Sequence, residues 1–180
     1  MLSDKTEMAL RQCGFLRDVD EEHLSRFVQL AMPVDFVAGE LILREGEAAK
    51  NVYVILSGSA SLELCASGIG CRRLMTLSDG DLLSWSAVLE QTRLTATVRA
   101  ISSIHGVVID GQKLLQVCED DPAFGFAFMR RVALATVNRL TAARMQLLDV
   151  FGTQMPTTPE IKSGDSSTAT PVDPCERGQI

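Results

Sequence analysis

From Val34 onward the apolar residues stop recurring at helical spacing and begin to alternate, and this change of period restricts the fold more than any other feature. Short segments follow at 34–37, 41–44, 52–56, 59–65, 71–77, 94–100 and 104–109. Gly39, Gly46, Gly58, Gly68, Gly70 and Gly80 stand between them. Alternation sends successive side chains to opposite faces of a sheet. A series of such short strands with glycine turns argues an antiparallel sandwich or jelly-roll barrel. Gly68-Ile69-Gly70 reads as a flexible hairpin tip.

Helices are expected on both sides of this β region. Residues 3–13 carry a cap, helix formers and a closing Gly14. Asp20 reads as the N-cap of a second helix, with Leu24, Phe27, Val28 and Ala31 as its buried stripe and Pro33 beyond its end. Residues 111–119 read as a third helix. Asp121 and Pro122 then open the longest periodic segment, which runs to Val150. Along it Phe126, Met129, Ala133, Thr136, Leu140, Ala143, Leu147 and Val150 recur three and four residues apart. That is the stripe of a helix that packs against a partner helix, and a homodimer is expected through it. Phe128, Leu134, Val137 and Leu148 widen the apolar face enough to cover a barrel as well. The expected fold is therefore mainly β with flanking α: a double-stranded antiparallel jelly-roll barrel with N-terminal helices and a long C-terminal helix at 122–150. The domain is expected over 1–151.

Residues 152–180 hold four of the six prolines and almost no large apolar side chains, so a disordered tail is expected. Before Gly152 there are 15 basic and 19 acidic residues. A mildly acidic core lacks the basic footprint of a nucleic-acid binder, so direct DNA binding is not expected. No apolar run is long enough for a membrane span and no signal segment opens the chain, which points to the cytoplasm. There reduced thiols are the default for Cys13, Cys65, Cys71, Cys118 and Cys175, two of them as half-buried strand residues, with a redox pair at Cys65 and Cys71 as the alternative. The cysteines are too scattered for an iron–sulfur site. His23 is expected to be solvated and His105 structural. With no nucleophile elbow, metalloprotease helix motif or phosphate loop, no enzyme is expected, and no metal or cofactor.

The chemistry is expected between Leu83 and Ala100. Ser84 reads as the cap of a short helix over 84–90, Gln91 to Arg93 as a polar link and 94–100 as a strand. A capped helix start beside Ser84, Ser86, Arg93, Thr95 and Thr97 could hold an anion. The plainer reading is a buried corner with Trp85 in the core.

Phe36-x-x-Gly39-Glu40-x-Ile42-x-x-Glu45-Gly46-Glu47, followed by Tyr53-x-Ile55-x-x-Gly58, resembles the cyclic nucleotide-binding domain. That is the sensor domain of catabolite-activator-type regulators and of cyclic-nucleotide-dependent kinase regulatory subunits. The resemblance runs from about Cys13 to Phe151 and implies that 83–100 is the phosphate-binding cassette. In the family a Gly-Glu-Leu core supplies a Glu to the ribose, and an Arg before Ala/Ser-Ala-Thr pairs with the cyclic phosphate. Laid without gaps, the family Gly falls on Ser84, the Glu on Trp85 and the Arg on Leu94. Thr95, Ala96 and Thr97 keep the small and hydroxyl positions. Losing two charge-assisted hydrogen bonds costs about 3–6 kcal/mol, or roughly 10²- to 10⁴-fold in affinity. Arg93, one residue early, is the candidate substitute, and Ser84-Trp85-Ser86 is similar to a divergent bacterial branch with Gly-Trp-Ser in the cassette. The resemblance also implies a dimer through the long helix. Such regulators continue into a helix-turn-helix, for which the remaining 29 residues are too few. Three readings remain: a cyclic nucleotide ligand, another small anionic or apolar ligand, or a dimeric interaction scaffold with no ligand. The first two make the chain a stand-alone sensor that signals to an effector protein.

Overall fold

In the computed structural model, residues 3–17, 19–68, 70–89 and 93–151 are described. The tail expected over 152–180 and most of the link expected at 91–93 lie outside them. The chain runs through helices α1 (Asp4–Gln12) and α2 (Glu21–Leu30), joined by a 3-10 turn at Gly14–Leu16. Seven strands follow: β1 (Met32–Phe36), β2 (Leu41–Leu43), β3 (Asn51–Ser57), β4 (Ala60–Ala66), β5 (Gly70–Leu77), β6 (Thr97–Ala100) and β7 (Ile104–Asp110). Helices α3 (Gly111–Asp120) and α4 (Pro122–Phe151) close the described chain.

The strands form two antiparallel sheets, ordered β1-β7-β3 and β2-β6-β4-β5. This is the expected jelly roll with flanking helices. All six glycines between the expected strands sit at positive φ. Gly58 shows why: besides its φ of +102°, a Cβ there would collide with the Ser103 carbonyl oxygen. Pro33 falls inside β1, an edge strand bonded only to β7, where a missing N–H is tolerated.

Helix ends follow the sequence closely. Ser3 caps α1 through the Thr6 N–H and Asp20 caps α2 through the His23 N–H. Asp110 caps α3 through the Lys113 N–H. Asp121 accepts from the N–H groups of Ala123 and Phe124 at the start of α4, and its other oxygen lies 3.0 Å from Arg26 of α2.

Alternation along β3 builds two cores. Val52 and Val54 face the helices with Leu10, Phe27, Leu114, Phe124, Phe128 and Val132. Ile55 faces the barrel interior with Leu62, Leu77, Leu83, Val98 and Ile104. Phe128 packs against Phe15, Phe27 and Phe124 with ring centroids 6.0–6.4 Å apart.

Several expectations are corrected. The strand read from Leu94 begins at Thr97. The helix read over 84–90 is one 3-10 turn, Ser86–Val88; it starts after Trp85 and no side chain caps it. His23 is half-buried, edge-on to Phe124, with Nδ1 2.6 Å from the Asp20 carboxylate. Cys65 and Cys71 oppose each other across the β4–β5 hairpin, exposed and joined as a disulfide. The reduced, half-buried expectation fails for this pair because the hairpin register brings the two side chains face to face. Cys13 and Cys118 are free, and burial raises both thiol pKa values, that of Cys118 to about 11. Cys175 lies outside the described residues.

The α4 stripe splits. Phe124, Phe128 and Val132 are buried against the barrel, whereas Phe126, Ala133, Thr136, Leu140 and Leu147 are exposed and Met129 and Ala143 half-buried. Phe128→Ala should therefore lower unfolding free energy by about 3–5 kcal/mol, since it empties an aromatic cluster. Phe126→Ala, at a side chain 73% exposed in the single chain, should change the unfolding free energy of the monomer by less than about 0.5 kcal/mol. Urea denaturation of the two variants checks the pair.

Candidate functional site

The site is assembled on two anchored arms. After β5, residues 80–83 run beside β3. The Gly80 N–H donates to the Ile55 carbonyl, the Ile55 N–H to Asp81 and the Leu83 N–H to Tyr53. Alternation along this arm sends Leu82 to the helical core and Leu83 into the barrel. The second arm is held at Leu94, which exchanges backbone hydrogen bonds of 2.9 Å with Gly46 and Glu47. Ser84, Trp85 and the 3-10 turn project between the two arms.

A cavity of about 310 Å³ opens there. Leu43 of β2, Leu62 and Leu64 of β4, and Leu74 and Met75 of β5 form its barrel side. A register shift opposite Leu62 and Glu63 lets the consecutive residues Leu74 and Met75 both face it. Leu83 to Ser86 and Leu94 to Ala96 form the cassette side. The remaining wall is one face of α4: Thr136, Arg139, Leu140 and Ala143. A larger groove, about 480 Å³, lies beyond Arg139 along the outside of β5. It lacks both Ser84 and Trp85.

Arg139 joins the helix to the cassette. One guanidinium nitrogen donates to the Leu82 carbonyl, and the guanidinium carbon lies 4.2 Å from the centroid of the Trp85 ring. Burial pulls the Arg139 pKa down to about 10, with Asp81 partly opposing the shift. The group therefore remains a cation at neutral pH. Stacking on an indole contributes roughly 0.5–2 kcal/mol. Ser84 is buried, and its Oγ has no hydrogen-bond partner among the described residues. A buried hydroxyl left this way costs about 1–3 kcal/mol.

The residues singled out in the sequence are divided by the structure. Ser84, Trp85, Ser86 and Thr95 line the cavity together. Arg93 does not line it: its side chain is exposed and donates to the Gly46 carbonyl at 2.6 Å. Thr97 is buried, with Oγ1 accepting the Glu45 N–H at 3.1 Å, and also lies outside the lining. Thr136, Leu140 and Ala143, expected in a dimer seam, form the helical wall. His105 pairs with Asp35 across β1 and β7 on the exposed face. Sequence reasoning missed Arg139. The available sign was a cation set among the apolar positions of α4, three residues after Thr136 and beside Leu140.

One possible metal cluster was found among the described residues: Glu63, Cys65 and Cys71 bring ligand atoms within 4.8 Å of one another. The disulfide occupies both sulfurs, which leaves no thiolate to bind. None of the described helices is long and apolar enough to cross a membrane.

Residues 33–121 match the family model described as the cyclic nucleotide-binding domain. A CRP-like cAMP-activated global transcriptional regulator of Mycobacterium tuberculosis is 24% identical over 148 residues, which cover 82% of this chain. The chain spans 64% of the length of that regulator. Among solved structures, a candidate cyclic nucleotide-binding protein from Geobacter metallireducens superposes with a TM-score of 0.66 at 24% identity, covering 78% of this chain and 99% of that one. The Thermus thermophilus catabolite activator protein gives 0.62 at 18% identity, covering 77% and 62%. These likenesses agree with the antiparallel jelly roll and its flanking helices. Over residues 33–121, this chain belongs to the cyclic nucleotide-binding domain family.

Proposed function

We propose that the chain is a regulatory ligand sensor without enzymatic activity, in which a small molecule in the cassette cavity changes the hold of α4 on the barrel. The observation that carries this reading is the contact of Arg139 with Leu82 and Trp85. It ties the middle of the helix to Leu82 and Trp85, which flank the orphaned Ser84 hydroxyl in the chain. A ligand that engages Arg139 competes with this contact, so occupancy and helix position share one free energy. The exposed stripe through Phe126, Ala133 and Leu147 is then the surface for a second copy of the chain, and the dimer hands the signal to an effector protein. We place the sensor in the cytoplasm, where an exposed hairpin disulfide such as Cys65–Cys71 is of the reducible kind.

Cyclic nucleotides are weak candidates within this reading. Trp85 and Leu94, which stand where the family has its Glu and Arg, both line the cavity, and Arg93 does not replace the lost cation there. The same two substitutions favour the rival reading of a dimeric scaffold that binds nothing. The cavity and the orphaned Ser84 hydroxyl favour a ligand.

Arg139→Ala should imitate ligand binding. Hydrogen exchange across 136–151 should rise by about tenfold or more, and Trp85 emission should shift, while the anchored half around Phe128 stays protected. Unchanged exchange would show that the helix is not held through this contact and would remove the sensor mechanism. Separately, Leu147→Glu should convert a dimer to a monomer in sedimentation at micromolar protein, because it puts a charge into the apolar stripe. A wild-type monomer at the same concentration would end the dimer proposal.

A further inference from the structure

The chemistry of the cavity narrows the ligand class, an inference that rests on the sensor reading above. Its lining is mostly aliphatic: Leu43, Leu62, Leu64, Leu74 and Leu83 surround the space. An indole and an isobutyl group stand at Trp85 and Leu94, where the family resemblance places a ribose-binding carboxylate and a phosphate-binding guanidinium. A nucleotide would bury its sugar hydroxyls and phosphate against these groups without partners, and each such loss is costly. Against the apolar wall stands one half-buried cation, Arg139, which enters from the helix side. It donates to the Leu82 carbonyl through a terminal nitrogen, one of the donors that a two-point fork with a carboxylate would take. The Ser84 hydroxyl, buried and unpartnered among the described residues, lies next to the indole on which Arg139 stacks. One planar fork and one hydroxyl suit the two oxygens of a carboxylate better than the larger acceptor set of a phosphate. At about 310 Å³ the space is at the small end of ligand pockets.

We propose that the cavity binds a small amphipathic carboxylate, an aromatic or medium-chain acid. Its carboxylate is held by Arg139 and Ser84, and its apolar body lies against Trp85, Leu94 and the leucines of the barrel wall. Engagement of the carboxylate draws Arg139 from the Leu82 carbonyl, so the recognition step is also the step that loosens α4.

Trp85 is the single tryptophan of the chain and lines the site, so its emission reports occupancy directly. The full chain would be titrated with phenylacetate and octanoate, with their neutral amides phenylacetamide and octanamide, and with cyclic AMP and cyclic GMP. At least one acid should saturate, with its amide about tenfold or more weaker, the size expected for a hydrogen bond to a charged group. Arg139→Gln should remove the difference between acid and amide while the amide still binds, and Ser84→Ala should weaken the acid a few-fold. The acid–amide comparison on the wild-type chain does not depend on any variant folding. Equal affinity of acid and amide, or no saturation by either acid up to about 10 mM, would overturn the proposed class. A cyclic nucleotide that binds more tightly than both acids would overturn it while leaving the sensor reading intact. Silence from every probe, together with unchanged helix exchange in Arg139→Ala, would remove the sensor reading as well.

Discussion

A cation partly removed from water must be compensated where it lies, and in this molecule that requirement falls on Arg139. Its guanidinium has the Leu82 carbonyl on one side and the face of Trp85 on the other. A hydrogen bond from a charged donor contributes about 1.5–3 kcal/mol and the stack roughly 0.5–2 kcal/mol. Against these stands the loss of hydration, visible in the lowered pKa. In the sensor proposed above, the balance is a contact strong enough to set the position of the helix and weak enough for a small ligand to reverse. Differential affinities of a few kcal/mol move a two-state equilibrium through most of its range.

The barrel explains why this contact forms at this point. Leu82 and Leu83 are neighbours with opposite duties, one in the helical core and one in the barrel core, because the 80–83 arm is bonded to β3 and shares its alternation. That bonding fixes the Leu82 carbonyl and brings Trp85 to the cavity edge. The three-residue turn that follows is too short to have a helical site of its own. Anion recognition by a helix start is therefore not available in this turn. Arg139 provides the cation from outside the cassette sequence.

Much of this was legible in the sequence. Gly39, Gly46, Gly58, Gly68, Gly70 and Gly80 marked the turns because each needs a backbone conformation open to glycine. Ser3, Asp20 and Asp121 occupy helix starts because capping is local chemistry. The readings that failed were those in which a distant partner decides the outcome. Ser84 has the chemistry of a cap, but the arm bonded to β3 delivers it to a buried corner with no helix to cap. Arg93 stands one residue from the family position, and its reach is taken by the Gly46 carbonyl across the barrel mouth. Cys65 and Cys71 meet because of a hairpin register that spacing alone left open. Arg139 lies 54 residues beyond Trp85 in the chain, and no local pattern joins the two.

Helix α4 changes its attachments along its length, and that gradient makes one arginine consequential. Near its start, Asp121 caps the first turn and pairs with Arg26, and Phe124, Phe128 and Val132 are buried four residues apart among other aromatics. Disrupting this half means opening the helical core. From Thr136 to Ala143 the helix faces a cavity instead of a packed wall, so it gains little dispersion energy there. Beyond Ala143, Met145, Leu147, Leu148 and Phe151 are exposed. A rod clamped firmly at one end and lightly in the middle pivots about the firm end when the light contact is released. In the proposed sensor, a small displacement near Arg139 becomes a larger one at Leu147 and Phe151, whose exposed apolar side chains are the surface assigned above to a second copy.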